Sequence, residues 1–369
     1  MTLMVMELLK DECEFLCLIP QEGELSAELH KRGVAYRLIG DQSLPVGVKG
    51  KRAYFRYAWM SMVSILRSLA VIRQYKPDLL YAPGPAALPW SAVCGMLSKK
   101  PVIWHLHHLF MDGPTKKLLN ITGSMKSVRH ILAVSECVGD QIRNACGHSK
   151  VRVLYNPIDM HRYVNGDGGR IRSEIQNALG LHAAPACILT EIAVIRKTKR
   201  QDHFVRIIEA LRKKGLCAVG VIAGEAITQE DRAFKAKLLS QIENSGMQQA
   251  ICMAGYRTDV GNVLAASDLV VVPTEVEGLS LVAQEAMIAR RDIVVTDVGG
   301  AAELLHHAGC GIFYPPDASP DEIAQIILRE IKKDRTEQIE SGYRFCSGLN
   351  QAAYKEKLKR LLLSEDECK

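Results

Sequence analysis

The sequence predicts an α/β protein of two domains, each built on a parallel sheet. Three observations predict it. Short runs rich in Leu, Ile and Val alternate with helix-length segments along the chain, which is the rhythm of repeated βαβ units. At 369 residues the chain is too long for one ordinary core and comfortable as two. Its composition, 48% hydrophobic and 24% charged, is that of a folded globular protein and excludes disordered or fibrous classes.

In the first half the strand-like runs are 14–19, 79–81, 102–105, 130–134 and 151–154. In the second half they are 187–194, 218–223, 250–253, 269–272 and 293–296. Residues 156–186, with Pro157, Pro185 and the Gly-rich run 165–169, read as the connection. The domains are therefore expected at 1–163 and 164–369. Neither GxGxxG nor GxxxxGK[ST] occurs, so dehydrogenase and P-loop readings lose their main support.

Eleven cysteines are scattered without a paired framework, the closest two being Cys13 and Cys17, which suggests neither a zinc nor a redox motif and fits a reducing cytosol. The apolar opening runs directly into Lys10, Asp11 and Glu12, so no secretory signal is read and the protein is expected to stay inside the cell. The apolar stretch 57–72 is interrupted by Arg67 and falls short of the roughly 20 residues needed to span a bilayer. It is expected to lie on a membrane, not through it.

Net charge is +6. Lys49, Lys51, Arg52 and Arg56 interleave with Tyr54, Phe55, Tyr57 and Trp59. Basic groups beside aromatic rings suit stacking on single-stranded nucleic acid or a membrane interface; a solvated helix start is the plainer alternative. The patch is short and the net charge low, which argues against a nucleic-acid-binding module.

The segment 268–300, DLVVVPTEVEGLSLVAQEAMIARRDIVVTDVGG, reads as strand, loop, helix, strand. The helix is expected to start in the turn 278–280, leaving the N–H groups of Leu279, Ser280 and Leu281 free beside Gly278 to cradle a diphosphate. Glu277 stands at the helix entrance and Glu285 about two turns on, nearly on the same side. A carboxylate farther along a helix can accept two hydrogen bonds from vicinal ribose hydroxyls. A lone glutamate pair is more often a dipole cap and a surface residue, but a buried strand before it and Gly299–Gly300 after it favour the active edge of an α/β sheet.

This segment resembles the signature of family 4 glycosyltransferases, P-S-x-x-E-G-x-x-L-V-x-x-E-A-M, in which two glutamates flank seven residues; only the serine differs, as Thr274. Residues 133–136 and 155–159, AVSE and YNPID, are similar to the family's AVSE…YNGID, with Pro157 for its glycine. Gly255 and Tyr256 fall where the family has a loop beside the base.

The resemblance implies a GT-B fold, two Rossmann-like domains facing a cleft, with residues 354–363 crossing back to the first domain. It implies a retaining, metal-independent transfer of a hexose-like sugar from a UDP- or GDP-sugar, a co-substrate and not a cofactor, to a hydroxyl. Lys199 in AVIRKTKRQDHF would meet the departing diphosphate. The family's arginine five residues earlier is Val194 here, so Arg196 is expected to substitute. His107, in WHLHH, would line the acceptor side; His105 and His107 share a strand face, yet no third metal ligand follows at a usual distance.

Arg56, Trp59 and the amphipathic stretch to Ile72 suggest a lipid-linked saccharide acceptor in cell-surface polysaccharide or lipopolysaccharide synthesis, at the cytoplasmic face of a membrane. A soluble saccharide acceptor, a nucleotide-sugar epimerase and a catalytically impaired binding protein are the alternatives. The last arises because family members open with a strand and a Gly-rich loop, whereas residues 1–9, MTLMVMELL, already read as the following helix. A misassigned start or a truncation, with that first strand absent, is the expectation.

Overall fold

A computed structural model describes residues 1–40 and 51–363; Lys49 and the side chain of Lys51 lie outside the described residues. Chain contacts divide the protein into two units, Met1–Tyr155 with Gln351–Lys369, and Asn156–Asn350.

The first unit runs α1 (Thr2–Leu8), β1 (Leu16–Ile19), α2 (Glu24–Lys31), β2 (Ala35–Leu38), α3 (Lys51–Tyr75), β3 (Leu80–Ala82), α4 (Leu88–Ser98), β4 (Val102–Leu106), α5 (Gly113–Gly123), β5 (Val128–Ala133), α6 (Glu136–Cys146) and β6 (Val151–Val153). Its strands form two parallel sheets, β1-β2 and β3-β4-β5-β6. Every residue of β4 is buried, Trp104 fully, in keeping with the apolar run Val102–Trp104 that opens it; His105 is the one polar side chain in the strand.

The second unit runs α7 (Gly168–Ala178), β7 (Cys187–Ile192), α8 (Gln201–Lys213), β8 (Ala218–Ala223), α9 (Gln229–Asn244), β9 (Ile251–Gly255), α10 (Val260–Ala266), β10 (Leu269–Val272), α11 (Leu281–Ile288), β11 (Asp292–Thr296), α12 (Gly299–Ala308), β12 (Ile312–Tyr314), α13 (Pro320–Glu330) and α14 (Thr336–Ser347). Its six strands form one parallel sheet in the order β12-β11-β10-β7-β8-β9. The order reverses between β7 and β10, and the loops that follow these two strands carry the candidate site. Ligands of such sheets bind beyond the carboxyl ends of the strands at this kind of reversal.

The last helix, α15 (Gln351–Leu363), belongs to the first unit. Tyr354 and Leu358 are buried with Val5, Leu9, Ile103, Leu132 and Leu154, and Lys355 and Lys359 pair with Glu12 at 3.0 and 3.6 Å.

Each expected strand is present within two residues at either end. Four readings change. The units meet at 155/156 instead of 163/164. The stretch 156–186 is no bare connection, since it holds α7, capped by the Asp167 carboxylate accepting from the Arg170 N–H at 3.2 Å. Its glycines serve close packing on α10: a Cβ on Gly166 would stand 2.2 Å from the Gly261 carbonyl oxygen, and one on Gly168 2.5 Å from that of Ala265. Two strands, β2 and β12, were not read as such. Finally, α3 spans 25 residues, longer than the 57–72 stretch and by length and composition enough to cross a bilayer.

Candidate active site

The site is built from the loops after β7 and β10. Beyond β7 the chain continues alongside its neighbour: Ala193 N–H donates to the Ala223 carbonyl at 3.0 Å and Ile195 N–H to that of Glu225 at 3.1 Å. Gly224 permits this closeness, because a Cβ there would lie 1.8 Å from the Ala193 oxygen. A single 3-10 turn, Lys197–Lys199, follows.

The Thr198 carbonyl in that turn accepts from the Glu275 N–H at 3.1 Å and from the Thr274 hydroxyl at 3.2 Å. These bonds tie the β10 loop to the turn and bring Lys199 to Glu277, Nζ to Oε2, at 2.5 Å. Thr274, where the family pattern has serine, keeps the hydroxyl this bond requires. Both charged groups are partly buried, 28% and 15% exposed, so the pair is screened less than a surface ion pair. From the other side, the Gly300 N–H donates to the Glu277 carbonyl at 2.8 Å.

The helix α11 starts at Leu281, with Ser280 as its cap: the Ser280 Oγ accepts from the Ala283 N–H at 3.2 Å. This corrects the reading that started the helix at 278–280. The first-turn donors are therefore the N–H groups of Leu281 and Val282, while Gly278 and Leu279 lie in the loop before the cap. Glu277 is outside the helix as well, so helical phase does not set its position relative to Glu285; the turn at Lys199 and the amide of Gly300 set it.

Glu285 lies inside α11 and is mostly buried. Its Oε1 accepts from the Tyr163 hydroxyl at 2.8 Å. Burial pushes its carboxyl above the ordinary range, while the Tyr163 bond and the nearby Arg162 pull it partly back. Sequence spacing could not reveal Tyr163, which stands 122 residues away. The preceding residue, Gln284, is fully buried and donates its amide to the Asn156 carbonyl at 2.8 Å, which fastens the segment carrying Tyr163 to this helix.

The other expected site residues fall as follows. Arg196 donates Nε and Nη2 to both carboxylate oxygens of Asp231, at 2.9 and 3.0 Å. Asp231 belongs to the capping box of α9, so the structure engages Arg196 at that helix start. Tyr256 is exposed just beyond β9, where Gly255 has φ +66°.

His107 belongs to the first unit, just after β4. Burial depresses it to about 4, so it is neutral near pH 7. Its neighbour His105 is buried and meets the Tyr81 hydroxyl through Nδ1 at 2.5 Å. Among the described residues no group of three or more His, Cys, Asp or Glu side chains is placed to hold a metal ion.

One further ionisable group stands in the strand before the loop. Glu191, in β7, is fully buried and neither of its oxygens has a hydrogen-bond partner. Burial drives its carboxyl well above the ordinary range, against the field of Lys199. A neutral acid in this position leaves the Lys199 ammonium to Glu277. Only its place in the run ILTEIA marked it, and that does not say which way the side chain points.

An ammonium, a helix start and a recessed carboxylate are the groups needed to hold a nucleoside diphosphate: charge and N–H donors for the phosphates, an acceptor for ribose hydroxyls. Residues 181–345 match the family model described as glycosyl transferases group 1, and residues 23–162 match that of glycosyltransferase family 4.

The alpha-D-kanosaminyltransferase of Streptomyces kanamyceticus is 26% identical over 170 residues, 46% of this chain and 42% of that protein. The lipopolysaccharide core biosynthesis mannosyltransferase LpsB of Rhizobium meliloti is 31% identical over 134 residues, 36% and 38% of the two chains. The present chain thus matches about two fifths of the length of each. The crystal structure of HepE from Anabaena in complex with UDP superposes with a TM-score of 0.78 at 19% identity, covering 97% of this chain and 94% of the other, which establishes the shared fold. With both halves matched and the two glutamates of the signature in place, the chain belongs to the family 4-like glycosyltransferases of group 1, with the GT-B fold.

Proposed function

We propose that this protein is a retaining glycosyltransferase that moves a hexose-like sugar from a UDP- or GDP-sugar to a hydroxyl of a lipid-linked saccharide, in the synthesis of a cell-surface polysaccharide or lipopolysaccharide. The observation that carries this reading is the Lys199–Glu277 contact set before the start of α11, with Glu285 held by Tyr163 inside the same helix. On this reading the diphosphate takes Lys199 from Glu277 and sits on the N–H groups of Leu281 and Val282, while Glu285 accepts from the ribose.

In the reaction the bond from the anomeric carbon to the phosphate oxygen breaks and its electron pair leaves with the diphosphate. A new bond forms from the anomeric carbon to the acceptor oxygen, and the acceptor's proton passes to the departing phosphate. Lys199 and the helix start stabilise that leaving charge, and Glu277 lies at the sugar or phosphate. No metal ion is needed on this account, so transfer should persist in EDTA. His107, neutral and poorly solvated, lines the acceptor side as a hydrogen-bonding group.

The test is incubation with UDP- and GDP-sugars and membrane extract, followed by mass analysis of the lipid fraction. A lipid product heavier by one sugar supports the proposal. Donor bound without any product would instead identify a binding protein, and a donor converted to its epimer without acceptor would identify an epimerase.

A further inference from the structure

Helix α3 has two faces. Tyr57, Ser64, Ser68 and Ile72 are buried, the Tyr57 hydroxyl donates to the Ala86 carbonyl at 2.8 Å, and Ile72 packs with Ile39, Trp90 and Cys94. That face fixes the helix in its unit, so it cannot leave to cross a bilayer without opening the core. The outer face carries Phe55, Trp59, Met62 and Leu66, which are 81%, 60%, 47% and 64% exposed. Their spacing of four, three and four residues is that of a single helical stripe three turns long. Isolated apolar residues on a surface are ordinary; an exposed stripe of four large ones in register is not.

Charge marks what covers this stripe. No acidic residue occurs in the 25 residues of α3, and Arg52 and Arg56 stand beside Phe55 and Trp59 at its first turns. Residues 51–127 hold eleven Lys and Arg against two Asp and Glu, while the rest of the chain holds 36 against 39. The positive charge of the protein is thus concentrated in residues 51–127, and α3 itself holds five Lys and Arg with no acidic residue. A protein partner with an apolar patch needs no such excess. A surface that is apolar in depth and negative at its rim does, and an anionic lipid leaflet is one.

We propose that α3 seats the first unit on the surface of an anionic bilayer, lying in the membrane plane with Phe55, Trp59, Met62 and Leu66 below the headgroups and Arg52 and Arg56 at the level of the lipid phosphates. The side-chain chemistry fits each depth: aliphatic groups and a phenyl ring inward, an indole at the interface, guanidinium groups reaching outward on long stems. This deepens the lipid-linked acceptor reading and rests on it only for its purpose, since seating requires neither donor nor transfer.

The full-length protein offers its own reporter. Trp90 and Trp104 are buried, so Trp59 is the exposed indole and should dominate any fluorescence change on binding. With vesicles of phosphatidylglycerol and phosphatidylcholine the emission should shift to the blue and be quenched by brominated acyl chains. Pure phosphatidylcholine should give little of either, and high salt should weaken binding. The double variant Phe55→Ser, Trp59→Ser, read by cosedimentation, should bind at least about tenfold more weakly. Arg52→Glu should weaken binding to anionic vesicles while leaving the far-UV circular dichroism unchanged.

Binding that ignores lipid charge, a Trp59 emission unmoved by anionic vesicles, or a concentration-dependent dimer that buries Trp59 without vesicles would overturn the proposal. So would tight binding to single-stranded oligonucleotide with none to vesicles. Failure to bind vesicles while sugar is still transferred to lipid would remove this inference and leave the proposed activity standing; vesicle binding without transfer would do the reverse.

Discussion

Replacing Gly300 by alanine tests how the active loop is held. Gly300 sits in the first turn of α12, where alanine would ordinarily gain up to about 1 kcal/mol over glycine. Here a Cβ would stand 2.0 Å from the Gly278 carbonyl oxygen and 3.1 Å from the Leu279 Cα, both of them backbone atoms with no rotamer to give way.

The loop must therefore move by more than an ångström. That movement strains or breaks the 2.8 Å bond from the Gly300 N–H to the Glu277 carbonyl. Overpacking costs about 1–3 kcal/mol and a lost buried hydrogen bond a further ~1–3, which outweighs the propensity gain. The expected loss is about 2–4 kcal/mol, or a fall in Tm of about 5–15 °C for a unit of this size.

Gly169→Ala is the control. It lies in the first turn of α7, where an added Cβ would meet only an Asp167 carboxylate oxygen at 3.6 Å. It should be neutral or stabilising by about 0.5–1 kcal/mol. Differential scanning fluorimetry of the two variants decides. A Gly300→Ala protein melting with the wild type, or a Gly169→Ala protein destabilised as much, would refute the packing argument.

Two further perturbations bear on the buried carboxylates. Tyr163→Phe removes the donor that lowers Glu285, so the Glu285 carboxyl rises further and a proton competes with the ribose for it. Donor affinity should drop about tenfold, near 1.4 kcal/mol, and the deficit should widen as pH falls from about 7 toward 5; titration calorimetry giving equal Kd values across that range would count against the role of Tyr163.

Glu191 is held well above its ordinary value by burial, so the folded state keeps a proton that the unfolded chain releases. Its contribution to stability is complete below the ordinary value of 4.5 and is lost as pH rises through the folded value. Glu191→Gln cannot ionise and should gain on the wild type as pH rises; thermal melts of the two proteins that stay parallel with pH would contradict this.

What was legible in the sequence followed local patterns. The β10 strand, the Pro273 loop, α11 and β11 are contiguous, so a buried apolar run and its flanking glycines revealed them together. Lys199 was legible because it follows a strand end in a basic run. The start of α11 was placed too early because the turn 278–280 was read as opening the helix, whereas Ser280 makes the capping bond.

Contacts between distant residues left no local trace. Tyr163 reaches Glu285 across 122 residues, and Arg196, expected at the donor, is engaged by Asp231 35 residues on. The glycines at 165–169 read as part of a connection between domains; only the fold reveals that Gly166 and Gly168 allow α10 to approach. β2 and β12 escaped because AYRL and IFY are short and, in the first case, mixed in polarity.

The central claim is that Lys199, the start of α11 and Glu285 bind a nucleotide-diphosphate sugar. The most direct measurement is titration calorimetry of the wild type, Glu285→Ala and Lys199→Ala with UDP- and GDP-sugars, with melting temperatures taken in parallel. Saturable wild-type binding of one nucleotide class is predicted, with losses of about tenfold or more in each folded variant, since each removes a charged hydrogen-bonding group worth about 1.5–3 kcal/mol. Wild-type protein that binds neither class, or variants that bind as the wild type does, would contradict it.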